Sequence, residues 1–360
     1  ALYLFRDRAG VKPLFYTIQG DTLVFASEMK GLFQYPGVEA VADRESLCEI
    51  FALGPAKSYG KGVFRNILEV EGGSCLLWKE GRLKERKYWQ LQSLPHEDSF
   101  EETVEKTSWL VEDAVKLQML SDIPICTFLS GGIDSSLVTA ICARELKKQG
   151  KVLHTFSFDF QGNEKYFKAN AFQPSQDRPW VEKMVEFSGT SHHFLTCGNQ
   201  EMIDCLYKAV DARDLPCMAD VESSMLYFCS LVAEHNKVTL TGECADEIFG
   251  GYPWFHKQEA FDTHAFPWSP DMKVRQTLLS EELLHVLFRR FLSEYSSDDP
   301  CSYSHRGFFK RNGGLCLCPY GVPFEECFVS CGFTAYDGSG ADFYFTSISY
   351  CLRIRLGKYD

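Results

Sequence analysis

The chain has 360 residues, 45% of them hydrophobic and 14% aromatic, which is enough apolar material for about two ordinary domain cores and argues against disorder. Its formal net charge is −12 and no long run of Lys and Arg forms a basic stripe, so a nucleic-acid-binding function is disfavoured. The sequence carries neither an apolar run of membrane-spanning length nor a signal-peptide pattern, which predicts a soluble, cytoplasmic protein that does not bind membranes.

The first 90 or so residues have a β-rich pattern. Strands are predicted at residues 2–7, 13–18, 22–27, 73–81 and 86–91, with a short helix at 44–53, and the Gly and Asp turns between them favour antiparallel pairing. A capping box formed by Ser99 and Glu102 then begins a helix with apolar residues at helical spacing. A domain boundary is therefore predicted at residues 93–99, just before this helix.

Short apolar strands alternate with helices in the following part of the chain. Strands are predicted at residues 123–129, 152–160, 191–197 and 237–243, and helices at 135–149, 178–188, 199–212 and 221–235. This alternation predicts an α/β fold with a doubly wound, mostly parallel sheet and helices on both faces. Ligands of such sheets bind at the carboxyl ends of the strands, so Ser130–Ser136 and Thr241–Glu247 are expected at one edge of the sheet.

The first of these two segments has the composition of an anion-binding loop. Gly131 and Gly132 allow a tight turn and a close approach of the backbone to a ligand, and the helix that follows offers free N–H groups. Ser130, Ser135 and Ser136 add hydroxyl donors, and together these groups form a cradle of pyrophosphate size. The spacing is neither that of a Walker A loop nor that of the Gly-x-Gly-x-x-Gly dinucleotide motif.

An acidic residue, Asp134, lies among these donors, where it would repel a phosphate unless a cation came between them. Mg²⁺ is commonly held by one or two carboxylates together with phosphate oxygens, and Glu243, Asp246 and Glu247 follow another strand at the same edge. The structural alternative is an ordinary strand-to-helix turn in which Ser135 or Asp134 only caps the helix. The complete pattern, with its acidic counterpart, favours a ligand site.

Several motifs resemble one family, in the order in which that family has them. Residues 129–136, LSGGIDSS, are similar to the pyrophosphate loop of N-type ATP pyrophosphatases, and residues 241–255, TGECADEIFGGYPWF, resemble the acidic loop of glutamine-hydrolysing asparagine synthetases. Residues 6–16 and 25–32 resemble the closing strands of that family's glutaminase domain, and residues 163–184 and 214–224 match its synthetase domain. The resemblance covers roughly residues 1 to 270.

The resemblance implies a domain organisation. Residues 1–93 would be the C-terminal part of a glutaminase domain of the N-terminal nucleophile type, whose N-terminal part is missing, and residues 94–295 would be an ATP-pyrophosphatase domain of the HUP-like class. Residues 296–360 form a tail rich in Cys and aromatic residues that does not resemble the family, and a shifted reading frame is one hypothesis for it.

The resemblance also implies a reaction and its residues. Aspartate would attack the α-phosphorus of ATP to form β-aspartyl-AMP and pyrophosphate, and ammonia, supplied directly or from glutamine, would displace AMP to give asparagine. A homodimer is a candidate oligomeric state of the chain. Glu243 would be the catalytic base, and Asp134 and Asp246 would bind Mg²⁺. The groups implied to bind ATP and pyrophosphate are Phe128, Ser130, Gly131, Gly132, Asp134, Ser135, Ser136, Phe158, Thr241 and Gly242.

Two departures from the family pattern limit these expectations. The nucleophilic cysteine that begins the family's glutaminase domain has no counterpart, since the chain opens on Ala1, so glutamine hydrolysis by this chain is not expected. The helical segment with the family's phosphate-contacting Lys is not recognisable in the tail. A chain without catalytic activity that at most binds ATP is therefore one alternative. Another is a different ATP pyrophosphatase, such as a β-lactam synthetase. The acidic net charge disfavours a tRNA thiolase.

Other candidate residues are interpreted as structural. Cys316, Cys318, Cys327 and Cys331 lack the paired spacing of a zinc site. His192 and His193 alternate along a strand, so hydrogen-bonded structural histidines are expected there. The aromatic residues of the segment 249–255 either shape the mouth of a nucleotide pocket or form a packing turn.

Overall fold

The structure is a computed structural model that describes residues 1–53, 57–92, 95–170, 173–216, 218–256, 274, 277–285 and 353–355. The predicted tail, apart from residues 353–355, lies outside this range, and so do Cys316, Cys318, Cys327 and Cys331. The described residues form two units, the first built from Ala1–Gln92 with Ala209–Met218, and the second from Ser93–Lys208 with Ala219–Lys257. No helix in the described ranges is long and apolar enough to cross a membrane.

The first unit contains two antiparallel sheets, each with three strands among the described residues. Its elements are β1 (Leu2–Phe5), β2 (Phe15–Gln19), β3 (Thr22–Ala26), α1 (Met29–Leu32), α2 (Arg44–Leu53), β4 (Leu68–Glu69), β5 (Ser74–Lys79) and β6 (Arg82–Lys87). The strand orders are β1-β5-β6 and β3-β2-β4. Leu4 and Leu76 from one sheet pack with Tyr16 and Val70, so the inward-facing apolar residues of both sheets share a core. The predicted β-rich, antiparallel character of this region is confirmed.

One predicted strand of this unit was misplaced. The sequence pattern predicts a strand at residues 86–91, whereas β6 begins at Arg82 and ends at Lys87. Glu80 and Gly81 both have positive φ, 52° and 70°, and form the two-residue turn that sends the chain back along β5. Because such a turn fixes the register at once, the outer strand starts directly after it, although its mostly charged side chains show no apolar alternation.

The second unit is an α/β structure. Its elements are α3 (Phe100–Gln118), β7 (Ile125–Phe128), α4 (Ile133–Lys148), β8 (His154–Phe160), α5 (Asn163–Tyr166), α6 (Arg178–Ser188), β9 (Ser191–Cys197), α7 (Asn199–Arg213), α8 (Ala219–Ala233), β10 (Val238–Leu240), α9 (Ala245–Phe249), a 3₁₀ turn (Pro253–His256) and β11 (Arg353–Arg355). Helix α7 belongs to this unit up to Lys208, and its last residues belong to the first unit.

Helices cover both faces of the sheet in the second unit. Val115 from α3 and Val138 and Ile141 from α4 pack with Ile125 and Leu240 of the strands on one face. On the other face, Val232 and Ala233 from α8 pack against Cys126 and Phe156. The predicted doubly wound arrangement is therefore confirmed, because a sheet with helices on each face must bury both sets of its side chains.

The strand order of this sheet places a ligand crevice beside β7. The order is β11-β10-β7-β8-β9, in which β10, β7, β8 and β9 are parallel and β11 is antiparallel to β10. From β7 the chain adds β8 and β9 on one side, and it then returns to add β10 on the other side. The loops after β7 and β10 consequently leave the sheet on either side of the point where the strand order reverses, which is the position that ligands occupy in such sheets.

The capping box predicted before α3 is present. The Ser99 hydroxyl accepts a hydrogen bond from the Glu102 backbone N–H at 3.2 Å, and the Glu102 carboxylate accepts one from the Ser99 N–H at 2.9 Å. Both bonds satisfy donors that the first turn of a helix leaves without backbone partners, which explains why α3 begins at Phe100.

Candidate active site

The loop between β7 and α4 is held by hydrogen bonds within itself. The hydroxyl of Ser135 is buried below the loop, where it accepts from the Ser130 N–H at 3.2 Å and donates to the Gly132 carbonyl at 3.3 Å. The hydroxyl of Ser130 lies 3.0 Å from that of Ser135. Gly132 is the N-cap of α4 and makes no side-chain cap. These bonds fix the shape of the loop, and the first turn of α4 keeps the N–H donors that an anion requires.

Gly131 is required at its position for two separate reasons. Its φ of 80° lies in the left-handed region, which residues other than glycine rarely adopt. A Cβ atom at this position would lie 2.6 Å from Cβ of Trp180 and 2.9 Å from the backbone nitrogen of Val181. The first turn of α6 therefore packs directly against the loop, a contact that the sequence pattern did not predict.

The loop after β10 touches the loop after β7 through the backbone. A Cβ atom on Gly242 would lie 2.7 Å from the backbone nitrogen of Ser135 and 2.8 Å from the carbonyl carbon and Cβ of Asp134. Glycine is therefore the residue that allows the two loops to meet. The expectation that segments 130–136 and 241–247 lie together at the carboxyl edge of the sheet is confirmed.

Carboxylates from both loops influence one another at this junction. Burial raises the pKa of Asp134, and the negative charges of Asp246 and Glu247 raise it further. Burial and the charge of Glu247 likewise raise the pKa of Asp246. The side chain of Glu243 keeps solvent access, but crowding by protein atoms and then the charges of Glu247, Asp246 and Asp134 raise its pKa above the ordinary value. The junction of the two loops therefore concentrates negative charge.

An aromatic pair borders the acidic loop. The hydroxyl of Tyr252 donates a hydrogen bond to Oε1 of Glu247 at 3.0 Å, and the Tyr252 ring stacks on that of Trp254 with centroids 4.3 Å apart. Burial and the carboxylate of Glu247 raise the pKa of Tyr252, so its phenol remains a donor at neutral pH. The sequence analysis did not predict this hydrogen bond. The available signal was that Tyr252 follows the acidic residues of the loop by only a few positions.

The remaining predicted residues lie around the same edge. Phe128 ends β7 and Phe158 lies in β8, and their rings meet edge to face with centroids 4.7 Å apart. The buried Thr241 hydroxyl accepts a hydrogen bond from the Glu243 N–H at 3.4 Å. Ser136 continues α4, its N–H donating to the Gly132 carbonyl at 3.1 Å. The structure thus collects all of the predicted residues on two loops and two adjacent strands.

Asp134 and Asp246 suit a divalent cation that is shared with a ligand. No set of three or more His, Cys, Asp or Glu side chains within the described residues is arranged to hold a metal by itself. Two carboxylates whose pKa values are raised by burial and by neighbouring negative charge, Asp246 and Glu247 for Asp134 and Glu247 for Asp246, nevertheless have the donor chemistry that Mg²⁺ prefers when phosphate oxygens complete its coordination. The residues present therefore fit a cation that arrives with its phosphate ligand.

The two consecutive histidines on β9 have structural hydrogen bonds. The ring nitrogens of His192 lie 2.8 Å from the Thr155 hydroxyl and 2.6 Å from the Ser157 hydroxyl, and burial lowers the pKa of His192 to about 4. Nε2 of His193 lies 3.1 Å from Nδ1 of His154. These contacts agree with the structural role expected from the sequence.

Comparison with known proteins gives consistent similarities for both parts of the chain. Residues 106–307 match the family described as asparagine synthase, and residues 1–89 match a glutamine amidotransferase domain. The chain is 47% identical to asparagine synthetase [glutamine-hydrolyzing] 3 of Bacillus subtilis over 78% of its own length and 45% of that protein. It is 31% identical to a putative asparagine synthetase [glutamine-hydrolyzing] 2 of Methanocaldococcus jannaschii, over 70% and 47% of the two chains.

Among solved structures, the chain is similar to an NAD⁺ synthetase from Burkholderia pseudomallei. The alignment covers 69% of this chain and 90% of that one, with 13% sequence identity and a TM-score of 0.27. The chain spans about half the length of the two synthetase relatives, 45% and 47%.

Proposed function

Because the chain belongs to the asparagine synthase family, we propose that its α/β unit catalyses the ATP-dependent conversion of aspartate to asparagine. The observation that carries this proposal is the contact between Gly242 and the Asp134–Ser135 backbone. It joins a glycine-rich anion loop at a helix N-terminus to an acidic loop at the reversal of strand order. A site with these two parts can hold a nucleoside triphosphate and the cation that accompanies its phosphates.

We assign the domains of the family to the same boundaries that the sequence predicts. Residues 94–295 would be the synthetase domain, residues 1–93 the C-terminal part of a glutaminase domain, and residues 296–360 a tail, of which residues 296–307 still fall within the match to the asparagine synthase family. The nitrogen donor would be ammonia, either supplied directly or released from glutamine. The match of residues 1–89 to a glutamine amidotransferase domain supports this division.

In the first half of the proposed reaction, the anion loop binds the phosphates that become pyrophosphate. A β-carboxylate oxygen of aspartate attacks the α-phosphorus of ATP, the bond to the bridging oxygen breaks, and pyrophosphate leaves with β-aspartyl-AMP remaining. Ser130, Ser136 and the N–H groups at Gly131 and Gly132 would stabilise the charge that develops on the leaving group, and the buried Ser135 hydroxyl, which donates to the Gly132 carbonyl, would hold the loop in shape. Phe128, Phe158, Thr241 and Gly242 would border the adenosine part.

Asp134 and Asp246 would hold Mg²⁺ at the junction of the two loops. When bound there, Mg²⁺ would supply positive charge to the phosphate oxygens. Its positive charge would also offset the burial and the neighbouring negative charges that raise the pKa values of both carboxyl groups. The proposal therefore explains why an anion-binding loop carries an aspartate.

In the second half of the proposed reaction, ammonia attacks the activated carbonyl carbon and AMP leaves. The nitrogen must lose a proton, and Glu243 would accept it. A raised pKa makes Glu243 a stronger base than an ordinary glutamate, which suits this role as long as its ionised form is present at the working pH.

Replacing Glu243 by glutamine separates the two halves of the reaction. We expect Glu243→Gln to leave aspartate-dependent ATP/pyrophosphate exchange within about twofold of the original chain, while ammonia-dependent asparagine formation falls about 100-fold, the scale of a lost general base. Exchange of labelled pyrophosphate and amino-acid analysis measure the two rates. Glu186→Gln, on the exposed face of α6, is the matched control and should change neither rate. Equal losses of both rates in Glu243→Gln would contradict the assigned role.

The proposed function is tested by aspartate-dependent exchange of pyrophosphate into ATP, with ammonia supplied directly for product formation. Exchange that requires aspartate and Mg²⁺ would support adenylation of aspartate by this chain. Absence of exchange at saturating ATP and aspartate would overturn the proposal. It would instead favour the alternative of a chain that at most binds nucleotide, and nucleotide binding measured by equilibrium dialysis would then distinguish binding from complete inactivity.

A further inference from the structure

Glu247 is the carboxylate of the acidic loop to which the proposed reaction gives no task. It follows Asp246 directly in α9, and its side chain is exposed. The Tyr252 hydroxyl donates to its Oε1 atom at 3.0 Å, and Tyr252 is itself stacked on Trp254. A glutamate side chain has three rotatable bonds, so this contact restricts a group that would otherwise sample many rotamers. Glu247 is held in place although it remains accessible to a ligand.

Negative charge accumulates at the junction, which favours a positive partner for such a group. ATP brings several negative charges, and one divalent cation at Asp134 and Asp246 offsets only part of the total. Glu247 directly follows Asp246 in α9, on the loop whose Gly242 meets the backbone of Asp134 and Ser135, so its negative charge lies beside the proposed cation site. Without a cation of its own, Glu247 would oppose the binding of ATP.

The second substrate of the proposed reaction carries a cation. Aspartate has an α-ammonium group with three N–H donors, and a carboxylate that retains a free oxygen is a strong acceptor for it. Because the Tyr252 hydroxyl contacts Oε1, the Oε2 atom and the outer lone pairs of Glu247 are left for such a donor. A tyrosine cannot neutralise the carboxylate, since it shares a proton without transferring one at neutral pH.

We propose that Glu247, held by Tyr252, binds the α-ammonium group of the amino-acid substrate and so distinguishes aspartate from dicarboxylic acids that lack an amino group. Glu247 is then a specificity-determining residue and Tyr252 a positioning residue. The proposal rests on the proposed function for the identity of the substrate, but not for the measurement that tests it.

Succinate is the probe for this inference, because it has the two carboxylates of aspartate without the ammonium group. Binding of radiolabelled aspartate and succinate is measured by equilibrium dialysis in the presence of Mg²⁺ and the non-reacting analogue α,β-methylene-ATP. We expect the original chain to prefer aspartate by at least about tenfold, which is the scale of one charge-assisted hydrogen bond. Glu247→Gln should remove most of that preference, while the affinity for the nucleotide analogue stays the same or rises, because a charge that repels its phosphates is removed.

Tyr252→Phe removes only the hydroxyl and keeps the aromatic stack. We expect it to reduce the preference for aspartate in the same direction as Glu247→Gln but to a smaller extent, about threefold, because the carboxylate remains but is less restricted. Where exchange is observed, the same variants should raise KM for aspartate without raising KM for ATP. A merely structural role would not produce that split. Glu234→Gln, at an exposed position after α8, is the matched control.

The outcomes separate this inference from the proposed function. An aspartate preference that depends on Glu247, without any exchange, would support the inference and overturn the proposed reaction. Exchange together with an aspartate preference that Glu247→Gln leaves within twofold of the original would support the reaction and overturn the inference. Failure of the original chain to prefer aspartate over succinate, or to bind either, would also overturn it.

Discussion

Replacing Asp134 by asparagine is expected to lower aspartate-dependent ATP/pyrophosphate exchange by about 100-fold or more, because the variant loses the carboxylate proposed to hold the cation against the phosphates. The same change should leave the melting temperature unchanged or higher. Burial and neighbouring negative charges raise the pKa of Asp134, so its ionised form is less favourable in the folded chain than in the unfolded chain. An asparagine of the same shape removes that penalty at neutral pH.

The opposite signs of the two effects make this substitution informative. Exchange activity and the thermal unfolding midpoint are measured on the same preparation at pH 7. Asp122→Asn, in the exposed segment before β7, is the matched control and should alter neither quantity. An Asp134→Asn variant that unfolds at a markedly lower temperature would show that the carboxylate has a structural role, such as that of a helix cap, and would contradict the assigned one.

Replacing Gly131 by alanine is expected to destabilise the chain by about 3 kcal/mol or more, because a strained backbone conformation and a steric clash are combined. The φ angle of 80° costs about 1–2 kcal/mol for a residue with a Cβ atom. The added Cβ would lie 2.6 Å from Cβ of Trp180 and 2.9 Å from the nitrogen of Val181, and a backbone atom cannot move aside as a flexible side chain can. Either α6 or the loop must shift, so exchange should be lost as well.

Gly150→Ala separates the two contributions. Gly150 follows α4 with a φ of 70°, and nothing lies within 4 Å of the position that its Cβ would occupy. The strained backbone conformation alone should therefore lower the free energy of unfolding of this variant, by about 1–2 kcal/mol, and exchange should be retained. Unfolding in denaturant, monitored by tryptophan fluorescence, measures both variants. Equal destabilisation of the two variants would mean that the clash with α6 adds nothing to the destabilisation caused by Gly131→Ala.

Regular elements with strong local signals could be predicted from the sequence. Helices α2 and α6 and strand β9 begin and end at the predicted residues, and α3 begins at its predicted capping box. These segments combine clear periodicity with their own start and stop signals. Strand β6 was predicted four residues too late, because its register comes from the turn at Glu80 and Gly81 and from pairing with β5 rather than from its own side chains.

The residues of the candidate site and the sheet edge on which they lie could be predicted from the sequence, but the contacts between them could not. The rule that parallel strands present ligands at their carboxyl ends was enough to bring Asp134 and Asp246 to one edge. The approach of Gly242 to the Ser135 backbone, the packing of Trp180 against Gly131 and the hydrogen bond from Tyr252 to Glu247 depend on how separate elements pack in three dimensions. A periodic pattern carries no information on such distances.

The backbone contact at Gly242 makes the two loops a single component for protein engineering. Neither loop can be transplanted alone onto another parallel sheet, because each supplies the surface against which the other is shaped. A graft would have to carry β7 and β10 as immediate neighbours, both loops, and the first turn of a helix in the place of α6. The smallest transferable unit is therefore defined by spatial adjacency, and it is assembled from segments that lie more than a hundred residues apart in the chain.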